Sequence, residues 1–212
     1  MITFHIITIF PDMFSSYVNE SILARAQKSK KIKIKFYDPR DFTKDKHRKV
    51  DEKPYGGGPG MVMAVDPIIR AAQKAIGRKK GVKVFITSPA GKQFTNVVAK
   101  NISKKHKDVV IICGRYEGID ARVKKILRAE EISIGPFVVT GGEVPAMIII
   151  DAISRQIPGV LGSAESIEES RIASSETYTR PEIFKHKGKN YKVPKVLLSG
   201  DHKKIEEWRE GK

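Results

Sequence analysis

Apolar and polar positions alternate between two periods along the chain. Ile2–Phe10, apolar apart from Thr3, His5 and Thr8, predicts a strand, and Pro11–Gln27, opened by Pro11-Asp12, predicts a helix. Ile32–Tyr37 predicts a second strand. A long polar and glycine-rich loop follows, Asp38 to Met61, and a loop of that length inside a domain is more often functional than filler. Asp66–Ile76 then carries apolar residues at helical spacing up to Gly77. Strand Lys83–Thr87, helix Gln93–Ser103, strand Asp108–Cys113 and helix Asp120–Arg128 continue the pattern. Short continuous apolar strands separated by helices predict an α/β fold, with a parallel sheet covered by helices on both faces. Beyond Glu131 come a short strand Ile132–Ile134, a turn, Phe137–Thr140, the Gly141-Gly142 pair and helix Pro145–Ile157. That helix is apolar nearly all round and must be buried against the sheet or another subunit. Ser163–Ser175, rich in Ser and Glu, reads as a linker, and Tyr178–Lys212 as a small basic segment with one amphipathic helix near Lys203–Arg209. The expected division is 1–162, a linker 163–177, and a small C-terminal domain 178–212.

Composition narrows the class. With 212 residues and 40% hydrophobic content the chain can bury one sizeable core, covering about 70% of the surface its unfolded form exposes, which argues against disorder. The single cysteine, Cys113, sits in an apolar run and is expected to be a buried, reduced thiol, which fits a cytoplasmic setting. Met1 to Phe10 has no cationic leader, and no apolar stretch reaches the ~18 residues of a membrane span, so neither export nor membrane insertion is expected. Charge changes the picture most: 40 Lys+Arg against 24 Asp+Glu leave +16. A polyanion is the natural partner, because lysines and arginines along phosphates release condensed counterions. Lys28–Lys35 and Ile183–Lys212 concentrate the excess.

In open parallel sheets ligands bind beyond the carboxyl ends of the strands. Three loops there carry glycine: Thr87–Gly91, Cys113–Gly118, and Ser133–Gly135 continuing through Thr140–Glu143. Each alone is an ordinary turn and helix cap; three together point to one shared pocket. Tyr55–Met61 lacks the Lys-Ser/Thr of a phosphate loop, and no G-x-G-x-x-G opens a helix after the first strand, so nucleoside triphosphate hydrolysis is disfavoured. No metal site is expected, since the five histidines are scattered. They read as mostly surface residues, His47 being the one to hold for function. No nucleophile elbow is visible.

Pro39–Phe42, Asp45–His47, Val50-Asp51, Pro54–Met61, Cys113–Asp120, Ser133–Gly135, Thr140–Glu143, Pro145-Ala146, Arg155, Ile157–Gly162 and Tyr178–Pro181 together resemble the bacterial tRNA (guanine-N1)-methyltransferases of the SPOUT class. The resemblance runs from Met1 to about Arg209. It implies a SPOUT-type parallel sheet whose C-terminal part threads a deep trefoil knot, an exception to the rule that chains do not thread loops. It also implies S-adenosylmethionine bound in that knot as methyl donor, tRNA as partner, methylation at N1 of the guanosine 3′ of the anticodon, and an obligate homodimer with its site between subunits.

Carried residue by residue, the resemblance assigns the cofactor to Thr87, Ser88 and Pro89, to Gly114, Tyr116 and Glu117, to Ser133, Ile134 and Gly135, and to Thr140, Gly141 and Gly142. It assigns the guanosine and its 5′ neighbour to His47, Asp51, Gly58, Pro59 and Gly60, and a catalytic cation to Arg155. The chemistry agrees: an in-line methyl transfer needs positioning in a dry site, a base for the N1 proton, and a cation where O6 gathers charge. The chain departs from the family in the linker. Where the family carries an aspartate as general base, the alignment here places Ser170 with Glu169 beside it. The linker is also shorter, and the C-terminal domain is expected to be reduced. A serine at its ordinary pKa cannot do the aspartate's work. Either Glu169 or Glu168 has taken over, or the enzyme is slow, or the chain binds tRNA without catalysing.

Overall fold

The strands form where the apolar runs lie, and their order decides where ligands can sit. In the computed structural model, which describes residues 1–162 and 176–210, the chain divides into two units, Met1–Gly162 and Ser163–Lys212.

In the first unit β1 (Ile2–Ile7) is followed by a 3-10 turn Pro11–Phe14, α1 (Ser15–Val18), α2 (Ser21–Lys28) and β2 (Ile32–Tyr37). The single helix expected over Pro11–Gln27 is therefore broken. Asn19 leaves helical geometry, Ser21 takes φ +49°, and the Gln27 side-chain amide donates to the Val18 carbonyl at 2.6 Å, satisfying an end that helix continuation would otherwise have served. The loop after β2 holds two two-residue strands, β3 (Asp51–Glu52) and β4 (Val62–Met63), paired antiparallel. Then come α3 (Val65–Ile76), β5 (Lys83–Gln93), α4 (Asn96–Lys105), β6 (Asp108–Ile112), α5 (Ala121–Leu127), β7 (Glu130–Ser133) and α6 (Glu143–Arg155).

The five long strands are parallel, in the order β2-β1-β6-β5-β7. Successive side chains alternate across the sheet and both faces are buried. Phe4, Ile6, Val109, Ile111 and Phe85 point to one face, under α2, α4 and α6. Ile7, Val110, Ile112, Val84 and Ile86 point to the other, under α3 and α5. Cys113 is buried, as expected. His5 corrects the surface reading of the histidines: it is 1% exposed, with its ring nitrogens 3.0 Å from the Tyr37 hydroxyl and 2.9 Å from the Asp108 carboxylate. Burial lowers its pKa, although the Asp108 hydrogen bond opposes that shift.

Strand β5 outruns the predicted Lys83–Thr87. Its pairing with β7 breaks between Thr87 and Lys92, both of which face Ile132, so Ser88–Gly91 bulges out before the ladder resumes. Gly91 is pressed onto β7 so closely that a Cβ would stand 2.4 Å from the Ile132 nitrogen. On α6, Pro145, Ala146, Ile149, Ile150 and Ile153 are buried against the sheet, while Val144 and Ile148 remain exposed.

The second unit differs from the expected helical segment. It contains a hairpin of β8 (Ile183–His186) and β9 (Lys189–Lys192), then α7 (Lys195–Leu198) and α8 (His202–Arg209), the last capped by Asp201, whose side chain accepts from the Lys204 amide. The two-residue turn Lys187-Gly188 was the sequence signal for that hairpin. Among the described residues no helix is long and apolar enough to cross a membrane.

Candidate functional site

Because β6, β5 and β7 are neighbours, the loops leaving their carboxyl ends are neighbours too. They are tied by hydrogen bonds. The Thr87 hydroxyl donates to the Ile112 carbonyl at 3.2 Å and accepts from the Gly114 amide at 3.4 Å, and the Gly142 amide donates to the Gly114 carbonyl at 2.8 Å. Gly142 has no room for a side chain: a Cβ would lie 2.1 Å from the Thr87 hydroxyl and 2.6 Å from the Gly114 nitrogen.

A buried ion pair sets the angle between the β6 loop and α6. The Glu143 carboxylate, 0% exposed, accepts from Arg115 Nε at 2.8 Å and from the Thr8 hydroxyl at 2.8 Å. Arg115 also donates to the Thr140 carbonyl at 3.2 Å and stacks on the Phe10 ring, 4.7 Å from its centroid. Neither Arg115 nor Glu143 was assigned a role from sequence. The signal was a charged residue opening an otherwise apolar helix.

The loops enclose a cleft of about 330 Å³, within the range of small-molecule sites. Of the residues assigned to the cofactor, Thr87, Ser88, Pro89, Gly114, Glu117, Ser133, Ile134, Gly141 and Gly142 line it. Tyr116, Gly135 and Thr140 are not in its wall. Tyr116 is 51% exposed at φ +59°, Gly135 lies beneath the Phe137 ring, and Thr140 contributes its carbonyl to Arg115. Ile86, Ile119, Ile132, Phe137 and Val139 supply an apolar lining that sequence reasoning missed. Among the acids in the wall, Asp120 is engaged by Arg122, whose hydrogen bond holds that carboxyl below its usual range, and Glu131 by Lys124. Glu117 makes no ion pair among the described residues and is the carboxylate left to meet a cationic ligand.

The long loop meets this cleft at its far end. The Glu117 amide donates to the Met61 carbonyl, the Met63 amide to the Gly118 carbonyl and the Asp120 amide to the Met63 carbonyl, at 2.9, 2.9 and 3.1 Å. Gly60 is seated on Glu117, where a Cβ would stand 2.6 Å from Oε1. Gly56, Gly57, Gly58 and Gly60 all have positive φ, 86°, 79°, 112° and 80°, which only glycine adopts freely. Gly58 and Pro59 are exposed, Asp51 is paired in β3, and His47 is exposed in a turn where its amide donates to Asp45. So the structure seats Gly60 against Glu117 in the cleft wall and holds Asp51 in the ladder at the loop's base; it does not bring His47 to the cleft.

Arg155 ends α6 while Gly142 begins it. At 1.5 Å per residue the two lie about 20 Å apart along the axis, so Arg155 is not in the wall of its own chain's cleft. Glu168, Glu169 and Ser170, with the rest of the expected linker up to Ser175, lie outside the described residues.

An open parallel sheet with a glycine-walled cleft off three adjacent strand ends defines an α/β protein with a small-ligand site of the strand-end type. A family model described as tRNA (Guanine-1)-methyltransferase TrmD matches residues 2–212. The chain is 48% identical over 210 residues to a tRNA (guanine-N(1)-)-methyltransferase of Thermomicrobium roseum, covering 97% of this chain and 76% of that protein. It is 46% identical over 214 residues to one of Pseudoalteromonas atlantica (98% and 78%), and 47% identical over 212 residues to one of Clostridioides difficile (97% and 90%). The chain belongs to the tRNA (guanine-1)-methyltransferase family.

Proposed function

We propose that the protein is a cytoplasmic tRNA (guanine-N1)-methyltransferase that uses S-adenosylmethionine to methylate N1 of the guanosine 3′ of the anticodon. The observation that carries this reading is the meeting of the three strand-end loops in one cleft, with the end of the guanosine-gripping loop bonded to its wall at Glu117 and Gly118. Donor and acceptor sites then share one boundary, as direct transfer requires.

The cleft fits such a donor. Its size suits a nucleoside-sized ligand, the backbone at Ser88 and Ile134 offers hydrogen-bonding groups to adenine and ribose, and Glu117 faces the positive methionine end or the guanine edge. When bound, S-adenosylmethionine supplies a methyl group on a positively charged sulfur. The protein's own residues do the rest. Asp51 and the Gly58–Gly60 backbone hold the flipped guanosine, at the expense of a few kcal/mol of unstacking. Glu169, with Ser170 beside it, takes the N1 proton, and Arg155 neutralises the charge that gathers on O6.

The position of Arg155 supports a homodimer with composite sites. Lying about 15 Å along α6 from Pro145, the last residue of that helix in the cleft wall, it completes a site only when a second copy presents it. The exposed Val144 and Ile148 on α6, and Tyr17, whose hydroxyl donates to Asp151 of that helix at 2.6 Å, offer the apolar face for such pairing. The knotted threading of the C-terminal part of the sheet belongs to the same proposal.

Transfer of labelled methyl from S-adenosylmethionine to an unmodified tRNA transcript tests the reading. Label on the guanosine 3′ of the anticodon is expected. A chain that binds this tRNA but transfers nothing is a binding homologue, consistent with Ser170 at the base position. Mixing Arg155→Ala chains with Gly142→Ala chains tests the composite site: partial rescue is expected, and its absence places each site within one chain.

A further inference from the structure

The β8–β9 hairpin is exposed along both strands, so neither of its faces is part of a core. Its turn residues Lys187 and Gly188 have φ of 45° and 74°, both positive, as in the two-residue turns that pin hairpin register. That register sets Phe184 opposite Tyr191 and His186 opposite Lys189. Opposed residues share a face and so do alternate residues along a strand, so Phe184, His186, Tyr191 and Lys189 stand together. The Phe184 and His186 rings are parallel within 11°, with centroids 6.2 Å apart. Phe184 is 57% exposed and Tyr191 55%.

Three rings held open to water on a narrow ribbon form a surface that a partner covers. Charge selects the partner. Lys189 lies on this face and Lys187 at its turn, Lys185 and Lys192 lie on the opposite face of the same ribbon, and no Asp or Glu occurs from Ile183 to Gly200. Exposed aromatic rings with ammonium groups beside and behind them match a single-stranded nucleic acid, whose bases stack on aromatic side chains while its phosphates pair with lysines. A paired duplex presents no free base face to such a platform.

We propose that the Phe184–His186–Tyr191 face is a stacking platform for an unpaired nucleotide of the RNA substrate other than the methylated guanosine, with Lys189 and the neighbouring lysines on its phosphates. The platform adds a second recognition point to the tRNA reading and rests on that reading.

Binding of a full tRNA transcript to the whole chain, measured by anisotropy across a salt series, tests it independently of methyl transfer. Phe184→Ala and Tyr191→Ala are each expected to weaken binding ~5- to ~150-fold, the range of one lost base stack, while leaving S-adenosylmethionine binding and the melting temperature unchanged. Phe184→Trp should restore affinity and Phe184→Leu should not. Lys189→Ala should reduce the slope of log affinity against log salt by about 0.7. Photo-crosslinking of the unaltered protein should join the Phe184–Tyr191 peptide to a loop nucleotide of the tRNA. Wild-type affinity in both alanine variants, rescue by Leu equal to that by Trp, a changed oligomeric state, or crosslinks that avoid this peptide would each overturn the platform. If the wild-type chain binds tRNA through this face yet never methylates it, the platform stands and the catalytic reading fails.

Discussion

Glu143→Gln probes the joint on which the cleft depends. The carboxylate is 0% exposed and holds two donors, Arg115 Nε and the Thr8 hydroxyl, each at 2.8 Å. The glutamine keeps one acceptor oxygen, turns an amide donor toward the other partner, and leaves the Arg115 guanidinium without its counter-charge. Breaking a buried pair from one side costs about 3–5 kcal/mol. Arg115 is 15% exposed and recovers some hydration, so the expected loss is about 3 kcal/mol, the low end of that range. For a chain of this length that is a fall in Tm of roughly 6–12 °C. Released from Glu143, Arg115 no longer fixes the Cys113–Gly118 loop or the Thr140 carbonyl, so donor affinity should fall as well. Thermal denaturation and calorimetric titration with S-adenosylmethionine measure both. The double variant Arg115→Leu/Glu143→Leu provides the sharper test. Removing both charges leaves no buried charge unpaired, only the Thr8 hydroxyl without its acceptor, so it should be more stable than Arg115→Leu alone, with a coupling above about 1 kcal/mol. Additive losses, or a Glu143→Gln protein that melts with the wild type, would refute the reasoning.

Gly142→Ala forces a methyl group onto the Thr87 hydroxyl and the Gly114 amide, 2.1 and 2.6 Å from the new Cβ. Overpacking of that kind should cost about 1–3 kcal/mol in a urea titration and weaken donor binding; unchanged donor affinity would mean the loops do not form the donor site. His5 is held neutral by burial, against the pull of Asp108 and with Lys79 and Lys35 nearby, so its folded pKa lies below 6.5 and the unfolded chain takes the proton first. Its contribution to stability is complete above about pH 6.5 and is lost as pH falls through that value toward the folded pKa. Urea midpoints between pH 7.5 and 5 should therefore fall more steeply for the wild type than for His5→Gln, and parallel profiles would count against this. Burial first, and the Glu143 charge second, push the Cys113 thiol well up. Iodoacetamide at pH 8 should label it only as fast as the chain unfolds, and rapid labelling of the native protein would show the loop to be open.

Much of this protein is decided by local chemistry that can be read in a line. The apolar runs at Ile2–Ile7 and Asp108–Ile112 specify strands buried on both faces, the alternating Ile32–Tyr37 specifies an edge strand whose lysines stay exposed, and the glycine-bearing segments after β5, β6 and β7 stand out as loops because few other residues suit such turns. The long glycine loop and the basic charge were equally legible, since they depend on composition and spacing alone. Strand order was not legible. Nothing in the separate segments says that β6, β5 and β7 lie side by side, and that order alone turns three turns into one cleft. The tertiary structure also decided what depends on partners distant in sequence. Thr8 and Arg115 make Glu143 a buried anchor rather than a helix-start acid, and Tyr37 and Asp108 make His5 a core residue rather than a surface one. The direction of α6 carries Arg155 away from the cleft that its sequence neighbours serve. Hydrophobic period and turn chemistry act over a few residues, whereas a buried charge finds its partner only after the sheet has closed, and there the three-dimensional arrangement determined what the sequence left open.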